Sequence, residues 1–283
     1  MSVSVAIRRL VVAVAAAAAL APAASARPTL GHARLDAVPD SSVSVNWAGF
    51  YVTGFNQSIP AARGPFTRVA ASWVQPAAVC TPFSATYSAF WVGLGGVTRN
   101  SRALEQIGSA ADCGLDGMPR HYLWFELWPA RPYDISTAVG PGDTIFASVT
   151  IVKKKVTLRI ENVTRGLHFT RALRMHAPDR SSAEWIAEAP ANCDLRGVCA
   201  IQSLTNFGTV SFTNATATGR GHVGPISDAA WHTTRTELQP TAPTRGFVVP
   251  ATNSGLAVPT DLAPDGTAFS VTWQPPPAPA PQP

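Results

Sequence analysis

The chain has 283 residues, a formal charge of +5, 14% charged residues and 46% hydrophobic ones. A positive charge this small and this dispersed excludes a nucleic-acid surface built on basic clusters. Beyond the N-terminal segment, no stretch is apolar over the ~20 residues that a membrane span needs.

The N-terminus has the layout of a secretory signal peptide, 1–26. Arg8 and Arg9 form the charged region, Leu10 to Leu20 the apolar core, and Ala24-Ser25-Ala26 the cleavage site. Its removal takes away two arginines and leaves a formal charge of about +3. The expected mature protein is secreted and extracellular, with no stable membrane association. Residues 27–43 are polar and contain proline, as in a flexible lead-in or short propeptide. Residues 44–274 are long enough for one all-β domain. The proline-rich tail 275–283 is expected to be extended and disordered.

Within the body, β-rich runs recur between Gly, Pro, Asn and Asp: 47–53, 67–74, 86–94, 121–128, 144–152, 156–161, 167–174, 184–188, 209–213 and 267–273. Lys153-Lys154-Lys155 and Asn162-Val163-Thr164-Arg165-Gly166 lie where hairpin turns are expected. Many strands with few helix signals predict an antiparallel β-sandwich or barrel.

Alternation sets the faces. In 121–128, Tyr122, Trp124, Glu126 and Trp128 share one face, opposite Leu123, Phe125 and Leu127. In 86–94, Trp91 and Gly93 lie opposite Phe90, Val92 and Leu94. The chain has six glutamates, and two of them fall in the apolar run Ser182–Glu188. Glu184, Ile186 and Glu188 share a face there, with Trp185 and Ala187 behind. A carboxylate on an apolar aromatic face costs solvation free energy, so such a group is paired or functional.

Four cysteines in an exported chain predict two disulfides. Cys193 and Cys199 are close enough to pin one loop, which leaves Cys80 for Cys113, although three connectivities are formally open. No Cys-x-x-Cys or His-x-x-x-His spacing occurs, so no metal site or other cofactor is expected. The histidines lie in ordinary settings and no Gly-x-Ser-x-Gly is present, which excludes a serine hydrolase. Oxidised thiols exclude cysteine catalysis, and an aspartic dyad lacks its Asp-Thr-Gly or Asp-Ser-Gly. Glu184 and Glu188 lie ~13 Å apart on a strand, too far for a glycosidase pair. Glu126 with Glu188 remains open as a glycoside hydrolase pair. So does a non-catalytic module that binds carbohydrate or peptide in the aromatic groove.

Several segments then appear in one order. They are Asn46-Trp47-Ala48-Gly49, Ala71-Ser72-Trp73-Val74-Gln75-Pro76, Phe90-Trp91-Val92-Gly93-Leu94-Gly95-Gly96 and Leu104-Glu105-Gln106-Ile107-Gly108. Tyr122 to Pro129, Gly142-Asp143-Thr144-Ile145, Glu161-Asn162-Val163-Thr164 and Ala183 to Glu188 follow. In this order the chain resembles the glutamic peptidases, or eqolisins, over most of 46–273. The resemblance implies a concanavalin-like jelly roll of two large sheets and a secreted, monomeric endopeptidase acting on polypeptides. It implies Gln106 and Glu188 as catalytic residues, with Trp91, Trp124 and Glu126 lining the groove. Glu184 is then structural, and Glu105 points to the other face. The Cys193–Cys199 loop resembles a family disulfide. Acid operation is implied unless the pKa of Glu188 is strongly raised. The chain departs from the family where Gly95 replaces an acidic residue, and in being mildly basic.

Overall fold

Inward β-branched residues and outward hydroxyls decide many of the strands. In the run Thr144–Val152, Ile145, Ala147, Val149 and Ile151 are fully buried, while Thr144, Phe146 and Thr150 stand on the other side. The computed structural model describes residues 40–54, 66–98, 101–193, 199–239, 247–248 and 255–276, all within one compact unit, Leu35–Pro283. The segments expected to be a signal peptide and most of the lead-in, and the end of the tail, lie outside the described residues.

No helix occurs among the described residues. The first strands are β1 (Asp40–Ser44), β2 (Trp47–Thr53), β3 (Phe66–Val74), β4 (Ala89–Gly95), β5 (Leu104–Cys113), β6 (Pro119–Trp128) and β7 (Tyr133–Ile135). Next come β8 (Thr144–Val152), β9 (Lys155–Asn162), β10 (Leu167–Arg174), β11 (Ser182–Glu188), β12 (Ala191–Cys193) and β13 (Cys199–Ile201). The last are β14 (Thr209–Gly219), β15 (His222–Pro225), β16 (His232–Leu238), β17 (Phe247–Val248), β18 (Leu256–Pro259) and β19 (Phe269–Gln274).

The hydrogen-bonded order is β10-β9-β8-β3-β14-β19-β18-β16-β2-β11-β4-β5-β6-β7, and a small separate sheet holds β12-β13-β17. The two halves of the long path contribute to one shared core and face each other across it. Trp73 of β3 donates its indole N–H to Ser109 of β5 at 2.9 Å, and Trp185 of β11 donates to the Ala70 carbonyl of β3 at 3.0 Å. Phe169 of β10 stacks on Phe125 of β6 at 5.9 Å, which brings the far ends of the path together. The result is an antiparallel sandwich that is nearly closed at its edges.

The turn at Lys153-Lys154 joins β8 to β9 with Lys153 at φ 58°, and 163–166 joins β9 to β10, as expected. β5 carries no strand signal in the sequence, since Glu105, Gln106, Gly108, Ser109 and Asp112 break its apolar pattern. It is nevertheless buried along its whole length, because β4 and β6 flank it and both its faces are covered. Residues 40–43, read as lead-in, form most of β1, which pairs in parallel with β16. Cys80 and Cys113 form a disulfide that ties the loop before β4 to the end of β5. Cys199 is also disulfide-bonded and stands in register with Cys193, whose side chain lies outside the described residues.

Candidate active site

The alternation of β11 is as the sequence predicts. Trp185 and Ala187 enter the main core, and Ile186 joins a second cluster on the outer face with Ala89, Trp91, Leu104, Ala110 and Trp124. Glu188 ends the strand on that outer face, partly buried and in register with Ala89 on one side and Trp47 on the other. Its two oxygens are both occupied. Trp91 Nε1 donates to Oε2 at 2.7 Å and Asn46 Nδ2 to Oε1 at 2.9 Å, and the Trp47 indole donates as well. Burial pushes Glu188 up to about 8, the nearby Glu126 adds to that rise, and the N–H donors oppose it.

Gln106 and Glu126 meet across β5 and β6, where they are direct register partners. Gln106 Nε2 donates to Glu126 Oε2 at 2.6 Å. Gln106 is 5% exposed, and its Oε1 has no hydrogen-bond partner among the described residues. Burial raises Glu126 above the ordinary carboxylate range, and the Gln106 amide moderates the rise. Gln106 stands opposite Gly93 and Glu188 opposite Ala89, so the row of Trp91 lies between them. Glu126, which holds the Gln106 amide and acts on Glu188 through its charge, links the two.

The Trp91 indole spans this gap because two glycines let it lie flat. A Cβ on Gly93 would come within 2.8 Å of Trp91 Cζ3. A Cβ on Gly108, across the strand, would stand 2.2 Å from the Phe90 carbonyl oxygen and 2.6 Å from Trp91 Cβ. Trp47 packs edge-on against Trp91, with ring centroids 5.1 Å apart. The indole N–H is thereby aimed at Glu188 by packing on several sides.

The remaining acids have other settings. Glu184 is in register with Gly93 but fully buried, and burial raises it well above 4.5. The Ser182 hydroxyl is near enough to moderate that rise, yet neither Glu184 oxygen completes a hydrogen bond of normal geometry. Glu105 faces the core as alternation predicts. Burial pushes it up to about 8 against a 3.2 Å hydrogen bond from the Asp179 amide. Asp112, on the site face beyond Ala110, accepts from the Tyr122 hydroxyl at 2.8 Å and the Ser88 amide at 3.0 Å, and burial pushes it up to about 6.

Of the residues singled out in the sequence, Trp91 meets Glu188, Glu126 meets Gln106, and Trp124 lies between their rows in the floor. Trp128, on the same face, is exposed at the strand end to 44%. Sequence reading missed the role of Asn46 and Trp47, which follows only from the pairing of β2 with β11. It also missed Asp112, which fixes Tyr122, and the glycine pair under Trp91.

Comparison with known proteins identifies the family. A model described as the Peptidase A4 family matches residues 45–250. Aspergillopepsin-2 of Aspergillus niger is 33% identical over 146 residues, which is 49% of this chain and 49% of that protein, so the match spans about half of the curated relative's length. Scytalido-glutamic peptidase, solved with a peptide-based transition-state analogue, superposes with a TM-score of 0.60 at 23% identity, over 82% of this chain and 100% of that one. Aspergilloglutamic peptidase from Aspergillus niger gives 0.52 at 27% identity, over 67% and 99%. The chain belongs to the Peptidase A4 family, the glutamic peptidases.

Proposed function

We propose that the mature chain is a secreted endopeptidase that hydrolyses polypeptides with Glu188 as base and Gln106 as oxyanion donor. The observation that carries this reading is a carboxylate with N–H donors on both oxygens, on the same sheet face as an amide whose orientation a second carboxylate fixes. Ionised Glu188 takes a proton from water as the water oxygen bonds to the scissile carbonyl carbon. The carbonyl oxygen gains charge and accepts an N–H from Gln106, whose other amide hydrogen already goes to Glu126. Gln106 Oε1, unpartnered among the described residues, is an acceptor for the attacking water. Protonated Glu188 then returns its proton to the leaving amine as the C–N bond breaks. The glycoside hydrolase alternative needs Glu126 free as the second carboxyl group, whereas here it is committed to the Gln106 amide.

A base acts from its ionised form, and that fraction falls about tenfold per pH unit below the pKa. With Glu188 raised to about 8, the expected rate climbs from the acid range toward neutral. The acid operation implied by the resemblance is conditional on an unraised Glu188, and the expected optimum thus moves upward. Mature protein offered a denatured polypeptide between about pH 3 and pH 8 should give internal fragments by mass spectrometry. Release of terminal residues only, or oligosaccharide binding without cleavage, would refute the endopeptidase reading.

A further inference from the structure

The outer face of the other half of the sandwich has a chemistry that the peptidase reading leaves unused. A cavity of about 470 Å³ opens there, lined by Arg68, Arg159, His168 and Glu161 together with the hydroxyls of Ser148, Thr150, Thr157 and Thr170. Register places these side chains on a grid. Arg68 of β3 is opposite Thr150 of β8, which is opposite Thr157 of β9. One row along, Ser148 is opposite Arg159, which is opposite Thr170 of β10.

The charges on this grid are unbalanced. Arg159 pairs with Glu161 and lies over the Phe146 ring at 5.9 Å. The Arg68 side chain is partly buried, and its guanidinium has neither a hydrogen bond nor an ion pair among the described residues. Burial lowers its pKa, and the field of Arg159 lowers it further, so the two guanidiniums repel each other across the hydroxyls. Lys155 and Arg174 continue the same face one row further on. An unpaired, half-desolvated guanidinium beside a second one, with hydroxyl donors between them, matches the donor set that holds an oxyanion.

We propose that this face binds an oxyanion, with Arg68 and Arg159 as its charged donors and Ser148, Thr150 and Thr157 supplying hydroxyls. The group is a sulfate, phosphate or carboxylate, either free or carried on an acidic polysaccharide whose hydroxyls suit the threonine lining. The site lies across the sandwich from Glu188 and needs no part of the peptidase chemistry.

The test uses the whole mature protein. Its thermal midpoint is followed while sodium sulfate is titrated against sodium chloride at equal ionic strength, and calorimetric titrations use sulfate and oligogalacturonate. The expected result is a saturable rise with sulfate beyond that with chloride, and binding about tenfold weaker in Arg68→Gln, in line with the loss of a charged hydrogen bond. Arg68→Lys should recover part of it, since a point charge replaces a planar fork. If Arg68→Gln does not fold, Thr150→Val removes a lining hydroxyl at constant shape and should weaken binding about threefold. Tighter binding of oligogalacturonate than of sulfate assigns the anion to a saccharide, and equal binding assigns it to the free ion. Identical responses to sulfate and chloride, or a foldable variant binding as wild type does, would overturn the site.

Discussion

The two outer faces of the sandwich are built by the same alternation and carry opposite chemistry. On the β11-β4-β5-β6 face, carboxyl groups stand among tryptophans, and among the described residues no cation pairs with Glu188, Glu126 or Glu184. On the β3-β8-β9-β10 face, guanidiniums stand among threonines and serines, with Glu161 as the acid among the described lining residues. An apolar floor makes ionisation costly, so the acids on the first face hold their protons to unusually high pH. A hydroxyl floor leaves cations charged and in need of an anion. The difference shows that the surroundings of a titratable group, more than its type, decide whether it can move a proton or only attract an ion.

The sharpest way to break this comparison is to remove one charge from the first face. Glu188→Gln keeps the shape and loses the base, and is expected to lower kcat by about 10³-fold, read as initial rates on a denatured protein. The same variant should unfold no more easily, because a buried ionisable group has become neutral. Gln106→Ala is expected to cost about 10²-fold in kcat with little change in KM, as for loss of an oxyanion donor.

Stability against pH sharpens the contrast further. Glu105 and Glu184 have folded pKa values above their unfolded ones, so their contribution is fully present below about 4.5 and is lost as pH rises, for Glu105 through about 8. Asp112 adds a smaller loss as pH rises toward 6. The expected fall is on the order of a few kcal/mol between pH 5 and 9, measured by urea unfolding. Glu105→Gln should lessen it in part, since a Gln carbonyl still accepts from the Asp179 amide while the other raised acids remain. An unchanged slope in that variant would mean that Glu105 is not the group involved.

A smaller effect is expected at Trp91. Trp91→Phe removes the 2.7 Å donor that favours ionised Glu188, so kcat/KM should drop about tenfold and its rising limb should move to higher pH. A drop without movement of the limb would assign Trp91 to packing alone. The smallest effect belongs to the opposite face, where Arg68→Gln should leave kcat/KM within about twofold of wild type, since distant sites act independently.

Much of this was legible from residue alternation. The faces of Tyr122–Trp128, of Phe90–Leu94 and of Glu184–Glu188 each follow from period-two spacing, and the two clusters divide along those lines. β5 was not legible as a strand, because burial on both sides allows it polar and small residues in place of an alternating pattern. Nor could the sequence show that Asn46 and Trp47 hold Glu188, since strand register is a long-range property: the hydrogen-bonded pair are 142 residues apart. The role of Gly93 and Gly108 was hidden for the same reason, as the ring they admit comes from β4 and the cradle closes only when β5 pairs with it.

The pairing of Glu188 with Gln106 is the central claim, and a double-mutant cycle tests it most directly. It compares kcat/KM for wild type, Glu188→Gln, Gln106→Ala and the double variant on one peptide at one pH. If the two residues act on one water and one carbonyl, the double variant should lose little more than Glu188→Gln alone, because groups that act as a unit are strongly non-additive. Losses that multiply, or a single variant as active as wild type, would contradict it.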